Sequence, residues 1–156
     1  MQPLVDENQK IHLATDHAGL ELKNAIGKYL TEKGHDVTDH GAHEYDAEDD
    51  YPDFIFPCAE AVATDPESRG IILGGSGQGE AMAANRVKGV RAAVYYGSKK
   101  EIPKLSREHN DANILSLGAR YISEEQIYDI IDQWLAEPFA GGRHQRRIDK
   151  LDHENS

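Results

Sequence analysis

Short apolar runs alternate with stretches that carry one apolar face along most of this chain. IHLAT, GIILGG, RAAVYYG and ANILSLG have the length and apolar content of buried strands, and HDVTD is a weaker candidate. Together they predict five strands, at 11–15, 35–39, 70–75, 91–97 and 112–118. Strands that alternate with helices form a parallel sheet covered on both faces. We therefore expect an α/β fold, a three-layer α/β/α Rossmann-like domain with a five-stranded parallel sheet.

Helical spacing joins the predicted strands, and the last long helix has the clearest pattern. Ser123 and Gln126 form a capping box, and the apolar residues after them repeat at helical spacing: Ile127, Ile130, Ile131, Trp134 and Leu135. A helix at 52–64 carries apolar residues on one face, although Pro57 should kink or delay it. Further helices are expected at about 22–33, from 79 onward, at 98–108 and, rich in arginine, from about 142 to 151.

Length and composition are those of one domain. The chain has 156 residues, of which 38% are hydrophobic and 29% charged. We expect a single domain over 1–156, with a core at about 11–151 and short polar tails. No apolar run approaches the roughly 18 residues that span a bilayer, and the first residues lack the features of a secretory signal. Cys58 is the only cysteine, which excludes an internal disulfide and a cysteine-based zinc site. A cytoplasmic protein is the simplest interpretation.

The charge of the chain limits its partners. A formal net charge of −11 argues against non-specific binding to nucleic acid or to an anionic membrane. The charge is uneven, because 43–53 is acidic and 142–147 (GRHQRR) is a compact basic cluster. The basic cluster suggests a small anionic ligand, although an isolated basic run is more often a solvated helix face. Within the acidic stretch, we interpret residues 44–50 as a solvated loop that leads to Tyr51.

The stretch IILGGSGQGEAMAANR, at 71–86, points most directly to chemistry. Four glycines fall within six positions between an apolar run and a helix, at the end of a strand where ligands bind in α/β sheets. A dinucleotide-binding fingerprint is a poor match, since Met82 replaces its third glycine and the next strand ends in VYYG without a carboxylate. A Walker A loop fails because no Lys-Ser or Lys-Thr follows the glycines.

The glycine-rich loop still offers several backbone N–H groups at a helix start, and these stabilise negative charge. Glu80 lies beside them. By position alone, Glu80 is more often an acid that interacts with the helix dipole. Combined with the N–H groups, its carboxylate fits proton abstraction next to a carbonyl, with the N–H groups holding the enediolate oxyanion. Arg120, Arg143 and Arg147 would then grip a phosphate at the far end of the substrate.

Five segments taken together resemble one family, the type B ribose-5-phosphate isomerases and their galactose-6-phosphate isomerase relatives. In order they are TDHAGLELK (15–23), DYPDF (50–54), GGSGQGEAMAANR (74–86), SREHNDANILSLGAR (106–120) and GGRHQRRID (141–149). The resemblance implies an enzyme that interconverts D-ribose 5-phosphate and D-ribulose 5-phosphate through a cis-enediolate, in the non-oxidative branch of the pentose phosphate pathway. It also implies no metal, no cofactor, and a homodimer or tetramer with active sites between subunits.

The resemblance further implies roles for individual residues. One branch of the family has a cysteine base at the position of Gly74, whereas this chain resembles the branch with a glutamate after the glycines, so Glu80 is the expected base. His109 would open the sugar ring with help from Asp16, and Ser76 would hydrogen-bond near the reacting oxygens. The other expected substrate contacts are His17, Tyr51, Gly75, Gly77, Gln78, Gly79, Asn110, Arg120, Arg143 and Arg147, the last two from the neighbouring subunit.

Plainer interpretations of the same residues stay open. Asp16 fits a turn at a strand end, His109 fits a helix C-cap, and Arg143 and Arg147 fit an ordinary surface. A module that binds a sugar phosphate without catalysis would keep the arginines but has no need of Glu80.

Other isomerase chemistries also stay open. A metal-dependent hydride shift is conceivable from His40, His43, Asp49 and Asp50, although these residues lack a convincing ligand spacing. Galactose, allose and tetrose phosphates share the enediol chemistry and differ from a pentose phosphate only in the distance between the carbonyl and the phosphate.

Overall fold

Five parallel strands form one sheet in residues 8–152, the part of the chain that this computed structural model describes. The strands are β1 (Lys10–Thr15), β2 (Asp36–Asp39), β3 (Ser68–Gly74), β4 (Ala92–Tyr95) and β5 (Ile114–Gly118). The helices are α1 (Leu20–Glu32), α2 (Pro52–Ala63), α3 (Gln78–Ala84), α4 (Glu101–Asn110), α5 (Glu124–Ala136) and α6 (Arg143–Ile148). All five predicted strands are present and differ from the prediction only at their ends.

Helices cover both faces of the sheet, so the predicted three-layer α/β/α fold is confirmed. Alternate residues of each strand point to opposite faces, and Leu13 packs in one core while its neighbour Ala14 packs in the other. The first core contains α1 and α5, including the fully buried Trp134. The second contains α2 and α3, including Ile55 and the buried thiol of Cys58.

Three helices, α2, α5 and α6, test particular predictions from the sequence. The helix α2 begins at Pro52 and runs through Pro57, so the expected delay at Pro57 does not occur. Proline suits the first helical position because that residue's N–H has no partner within a helix. The capping box of α5 is confirmed, with the backbone N–H of Ser123 donating to Oε1 of Gln126 at 3.2 Å. The arginine-rich helix α6 is shorter than predicted.

The strand order β2-β1-β3-β5-β4 creates a crevice at one edge of the sheet. From β1 the chain moves outward to β2, and it then returns to place β3 on the other side of β1. Loops that leave β1 and β3 therefore diverge to opposite sides of the sheet, and ligands of open α/β sheets bind at such a point. The segments after β1 and β3 are those that the sequence marks for chemistry.

Within residues 8–152, none of the helices combines the length and the apolar character needed to cross a membrane. The predicted polar tails lie largely outside the described residues, so that part of the domain prediction stays a prediction.

Gly19 is closely packed behind the crevice, and replacing it tests this packing. A short 3₁₀ turn at His17–Gly19 lies directly on the sheet, and a Cβ at Gly19 would fall 2.5 Å from Oγ1 of Thr15 and 2.8 Å from Cβ of Leu73. We expect Gly19→Ala to lower the free energy of unfolding by about 1–3 kcal/mol, because the β-carbons and backbone there cannot move apart cheaply. Urea unfolding measures this change.

Gly27 in α1 is the matched control. A Cβ there would lie 3.2 Å from Cδ1 of Leu13, the end of a flexible side chain, and alanine is better than glycine inside a helix by roughly 0.5–1 kcal/mol. Gly27→Ala should leave the unfolding free energy unchanged or slightly higher. Equal losses in both variants would contradict the packing assigned to Gly19.

Candidate active site

Loops after β1, β3 and β5 line the crevice at the carboxyl edge of the sheet. Asp16 and His17 follow β1, the glycine loop (residues 74–79) follows β3, and Arg120 follows β5. The backbone N–H of Arg120 donates to the carbonyl oxygen of Gly75 at 3.1 Å, which fixes the loop after β5 against the glycine loop.

The glycine loop turns sharply into α3. Gly77, the residue before the helix, has a φ of +80°, which favours glycine. The buried hydroxyl of Ser116 donates to the carbonyl oxygen of Gly77 at 2.7 Å, and the backbone N–H of Gln78 donates to Oγ of Ser76 at 3.3 Å. Sequence reasoning missed Ser116, although a lone hydroxyl inside the apolar strand ILSLG signals a need for a partner.

The carboxylate of Glu80 lies folded back against the end of β3. Only 5% of Glu80 is exposed, and a Cβ on Gly74 would overlap with the Glu80 carboxylate. Burial raises the pKa of Glu80; a hydrogen bond from its own backbone N–H opposes this rise, and the negative charge of Asp16 adds to it. Glu80 is in the first turn of α3, so it occupies the position of a helix-start acid, yet its burial distinguishes it from an ordinary one.

Asp16 serves both as a turn residue and as a neighbour of Glu80. Its Oδ1 accepts a hydrogen bond from the backbone N–H of Ala18 at 3.0 Å and so caps the 3₁₀ turn. Asp16 is 8% exposed, and its charge acts on Glu80. The turn interpretation and the proximity to the expected base are therefore both correct.

His17 is paired with a residue that sequence reasoning placed in a solvated loop. Nδ1 of His17 lies 2.7 Å from Oδ1 of Asp49, and the side chain of Asp49 is only 8% exposed. The solvated-loop prediction is thus wrong for Asp49, although it is correct for residues 44–48 and Asp50, which are exposed. The available signal was the position of Asp49, immediately before the segment DYPDF.

Two of the predicted substrate contacts pack against glycines of the loop. A Cβ at Gly75 would lie 3.0 Å from Cζ of Arg120, and a Cβ at Gly79 would lie 2.7 Å from the Tyr51 hydroxyl oxygen. Arg120 and Tyr51 therefore contact the glycine loop directly. Together with Asp16, His17, Ser76, Gln78 and Glu80 they form what we name the loop cluster.

The remaining predicted residues form a separate group, which we name the α4–α6 cluster. The rings of His109 and His144 stack with their centroids 4.6 Å apart. His109, Asn110, His144 and Arg147 line a cavity of about 300 Å³, and Arg143 begins the same helix α6.

Within one chain the α4–α6 cluster lies at the opposite end of the sheet from the loop cluster. Asn110 lines a second cavity together with Ala92, the first residue of β4. It also comes before β5, whereas Arg120 comes after that strand; β5 has 5 residues, and such a strand is roughly 16 Å long. The structure therefore brings Asp16, His17 and Glu80 together but keeps His109 and Asn110 away from them in the same chain.

Among residues 8–152, no three of His40, His43, Asp49 and Asp50 bring ligand atoms within 4.8 Å of one another. Nε2 of His40 lies 2.9 Å from Nδ1 of His12, and Asp49 pairs with His17. Among the described residues, Asp16, His17 and Asp49 do bring nitrogen and oxygen atoms within 4.8 Å of one another. However, the N···O distance of 2.7 Å between His17 and Asp49 is that of a direct hydrogen bond, whereas two ligands of a tetrahedral metal stand roughly 3.4 Å apart.

Known proteins resemble this chain over nearly its whole length. The model of the ribose/galactose isomerase family matches residues 11–151. The ribose-5-phosphate isomerase B of Mycolicibacterium paratuberculosis is 44% identical over 143 residues, which cover 91% of this chain and 89% of that protein. The corresponding protein of Mycobacterium tuberculosis is 43% identical over 143 residues, with 91% and 87% covered.

Solved structures agree with these sequence relatives. Ribose-5-phosphate isomerase B of Mycoplasma genitalium, with bound ribulose-5-phosphate, superimposes with a TM-score of 0.87 at 43% identity and covers 91% of this chain and 93% of its own. The Clostridium thermocellum ribose-5-phosphate isomerase B also has a TM-score of 0.87, at 44% identity with 92% and 95% covered. The similarity in sequence, fold and length shows that this chain belongs to the ribose/galactose isomerase family.

Proposed function

We propose that this protein is an aldose–ketose isomerase that interconverts D-ribose 5-phosphate and D-ribulose 5-phosphate without a metal. The observation that carries the proposal is the buried carboxylate of Glu80, which lies against Gly74 at the start of the glycine loop. A relative 43% identical to this chain binds ribulose-5-phosphate. The proposed place in metabolism is the non-oxidative pentose phosphate pathway, in the cytoplasm.

In the proposed reaction Glu80 moves one proton between two carbons. Its carboxylate takes the proton from C2 of the open-chain aldose, a C1=C2 double bond forms, and the carbonyl oxygen O1 becomes an oxyanion. The N–H groups of the glycine loop and the hydroxyl of Ser76 stabilise that oxyanion. Glu80 then returns its proton to C1, while the proton of the C2 hydroxyl moves to O1 and leaves a carbonyl at C2.

Burial of Glu80 suits this role. A carboxylate with an ordinary pKa is a weak base at neutral pH, and a pKa raised toward the working pH makes it a better one. The raised pKa of Glu80 comes mainly from burial.

The site is completed in this proposal by a second copy of the chain. His109 would open the furanose ring, Asn110 would contact the sugar, and Arg143 and Arg147 would bind the phosphate together with Arg120. Of these groups, His109, Asn110 and Arg147 lie at the far end of the sheet from Glu80 within one chain. A two-fold dimer that places the α4–α6 cluster of each subunit over the partner's loop cluster makes two complete sites.

Replacing Glu80 by glutamine tests the base. We expect Glu80→Gln to reduce both ribulose 5-phosphate formation and deuterium incorporation at C2 by roughly 10²–10⁴-fold, since glutamine cannot accept the proton. NMR of ribose 5-phosphate in D2O with excess EDTA follows both products. Glu101→Gln, at an exposed first-turn glutamate of α4, is the control and should keep full activity.

Each other result has a definite meaning. An active Glu80→Gln enzyme would remove Glu80 from the reaction. Loss of wild-type turnover on addition of EDTA would reveal a metal requirement. If wild-type protein is inactive on ribose 5-phosphate but active on a hexose or tetrose phosphate, the proposed chemistry stands and the proposed substrate is wrong.

The raised pKa of Glu80 predicts opposite effects of pH on activity and on stability. Activity needs the carboxylate, so kcat/KM should fall as pH falls through the raised pKa. Folding favours the protonated acid, so ionisation of Glu80 lowers stability as pH rises from the ordinary value of 4.5 through the raised one. Glu80→Gln should therefore have a higher Tm than wild type at pH 7, with a gain that shrinks as the pH approaches 4.5.

The control for this Tm measurement is again Glu101→Gln. Glu101 is an exposed first-turn acid of a different helix, and its neutralisation should leave Tm unchanged or lower it slightly through the helix dipole. A Tm gain in Glu101→Gln equal to that in Glu80→Gln would show that burial of Glu80 is not the cause.

Mixed dimers test whether two subunits share the site. Glu80→Gln and His109→Asn homodimers should each be inactive, whereas a one-to-one mixture after subunit exchange should recover about a quarter of wild-type activity, because half of the dimers then hold one intact site. A mixture of Glu80→Gln with Asp16→Asn, both in the loop cluster, is the control and should recover nothing. Recovery in neither mixture, with subunit exchange verified, would contradict a site shared between two subunits.

A further inference from the structure

The hydrogen bond between His17 and Asp49 lies in the crevice but has no role in the proposed reaction. Oδ1 of Asp49 lies 2.7 Å from Nδ1 of His17 and also accepts from the His17 backbone N–H at 3.2 Å. Among the described residues its other oxygen, Oδ2, is buried and has no hydrogen-bond partner. A buried carboxylate oxygen without a partner reduces stability, so stabilising the fold does not account for Asp49, whereas its contact with His17 does.

We propose that Asp49 is a positioning residue that fixes the ring of His17 as a ligand for the phosphate of the substrate. Two contacts to one carboxylate oxygen hold both the backbone and the ring of His17. Because Nδ1–H is engaged by Asp49, Nε2 is the ring atom left for a phosphate oxygen. The inference rests on the proposed function, since the phosphate is that of the proposed substrate.

The surroundings of the ring favour its protonated form. The hydrogen bond to Asp49 raises the pKa of His17; partial burial opposes this rise, the charge of Asp16 adds to it, and the charge of Arg120 opposes it. The ring of Tyr45 meets that of His17 edge-on, with centroids 5.7 Å apart. The two carboxylates thus support an imidazolium next to Arg120.

Protonation decides what Nε2 presents to the phosphate. In the imidazolium, Nε2–H donates to a phosphate oxygen while Nδ1–H remains on Asp49, and this charge-assisted hydrogen bond is strong. In the neutral ring the proton stays on Nδ1, so Nε2 presents a lone pair that repels the anion. Phosphate binding should therefore be complete below the raised pKa of His17 and weaken as pH rises through it.

The variant Asp49→Asn isolates the charge of Asp49. The amide has nearly the same shape and its oxygen still accepts a hydrogen bond, but it no longer favours the imidazolium. We expect the His17 titration to move to lower pH, and KM for ribose 5-phosphate at pH 7.5 to rise roughly tenfold. The value of kcat should change by less than about threefold, because His17 does not touch the reacting carbons.

Asp50→Asn is the matched control. Asp50 is the next residue of the same loop and is exposed, so this variant makes the same change in net charge without touching the contact to His17. Both the His17 titration and KM should match wild type.

The measurement combines NMR and kinetics. Histidine side chains of the free protein, labelled with ¹⁵N, are titrated against pH, and the His17 signal is identified by its absence in His17→Gln. The titration is repeated with inorganic phosphate, which should raise the apparent pKa of His17 in wild type and do so less in Asp49→Asn. Profiles of KM and kcat against pH are then measured for wild type, Asp49→Asn and Asp50→Asn.

Three results would overturn the inference: an unchanged His17 titration in Asp49→Asn, an equal rise of KM in Asp50→Asn, or a loss confined to kcat. Failure of the proposed function is distinguishable, because wild-type protein would then not isomerise ribose 5-phosphate at all. In that case the NMR titrations with phosphate still decide whether Asp49 tunes His17 for anion binding.

Discussion

The candidate site depends on the absence of a side chain at Gly74. A Cβ at this position would overlap with the carboxylate of Glu80, so the side chain can fold back over the end of β3 only because residue 74 has none. This position buries the carboxylate and raises its pKa. It also holds Glu80 close enough to Asp16 for their charges to interact.

Other glycines of the loop also provide space. The side chain of Arg120 lies over Gly75, and that of Tyr51 lies against Gly79, each within 3.0 Å of where a Cβ would stand. Of the loop glycines only Gly77 has a positive φ. The glycines of this loop therefore have two effects. They leave the backbone N–H groups open to an anion, and their lack of side chains lets neighbouring functional groups approach the loop.

Sequence reasoning predicted the layers, all five strands and the loop cluster, because periodicity and motif order carry that information. The predicted delay at Pro57 was wrong, because α2 already begins at Pro52, where a proline suits the first helical position, and continues through Pro57. The pairing of Asp49 with His17 was missed because it joins residues 32 positions apart. No periodic pattern records a contact of that kind, and an acidic loop usually is solvated.

The division of the predicted site into two clusters follows from the direction of the chain. In a parallel sheet each crossover helix runs back toward the amino edge, so the end of α4 carries His109 and Asn110 away from the crevice. The order of motifs along the sequence does not show at which end of the sheet each motif lies. The sequence therefore predicted one group of site residues, whereas one chain holds two separate groups. Sequence resemblance gives an interface as an expectation, and the separation of the two groups within one chain is a physical argument for the proposed dimer.

The charges around the crevice also favour a site completed by a second subunit. Asp16, Asp49 and Glu80 place three carboxylates around the crevice, against which the same chain sets the cations Arg120 and, when protonated, His17. A crevice with that balance would repel a phosphate dianion. In the proposed dimer, Arg143 and Arg147 of the opposite cluster reverse the balance, so that substrate affinity arises only where two subunits meet. In the same proposed dimer, the partner's arginines would let the negative surroundings that favour an imidazolium at His17 coexist with an anionic substrate.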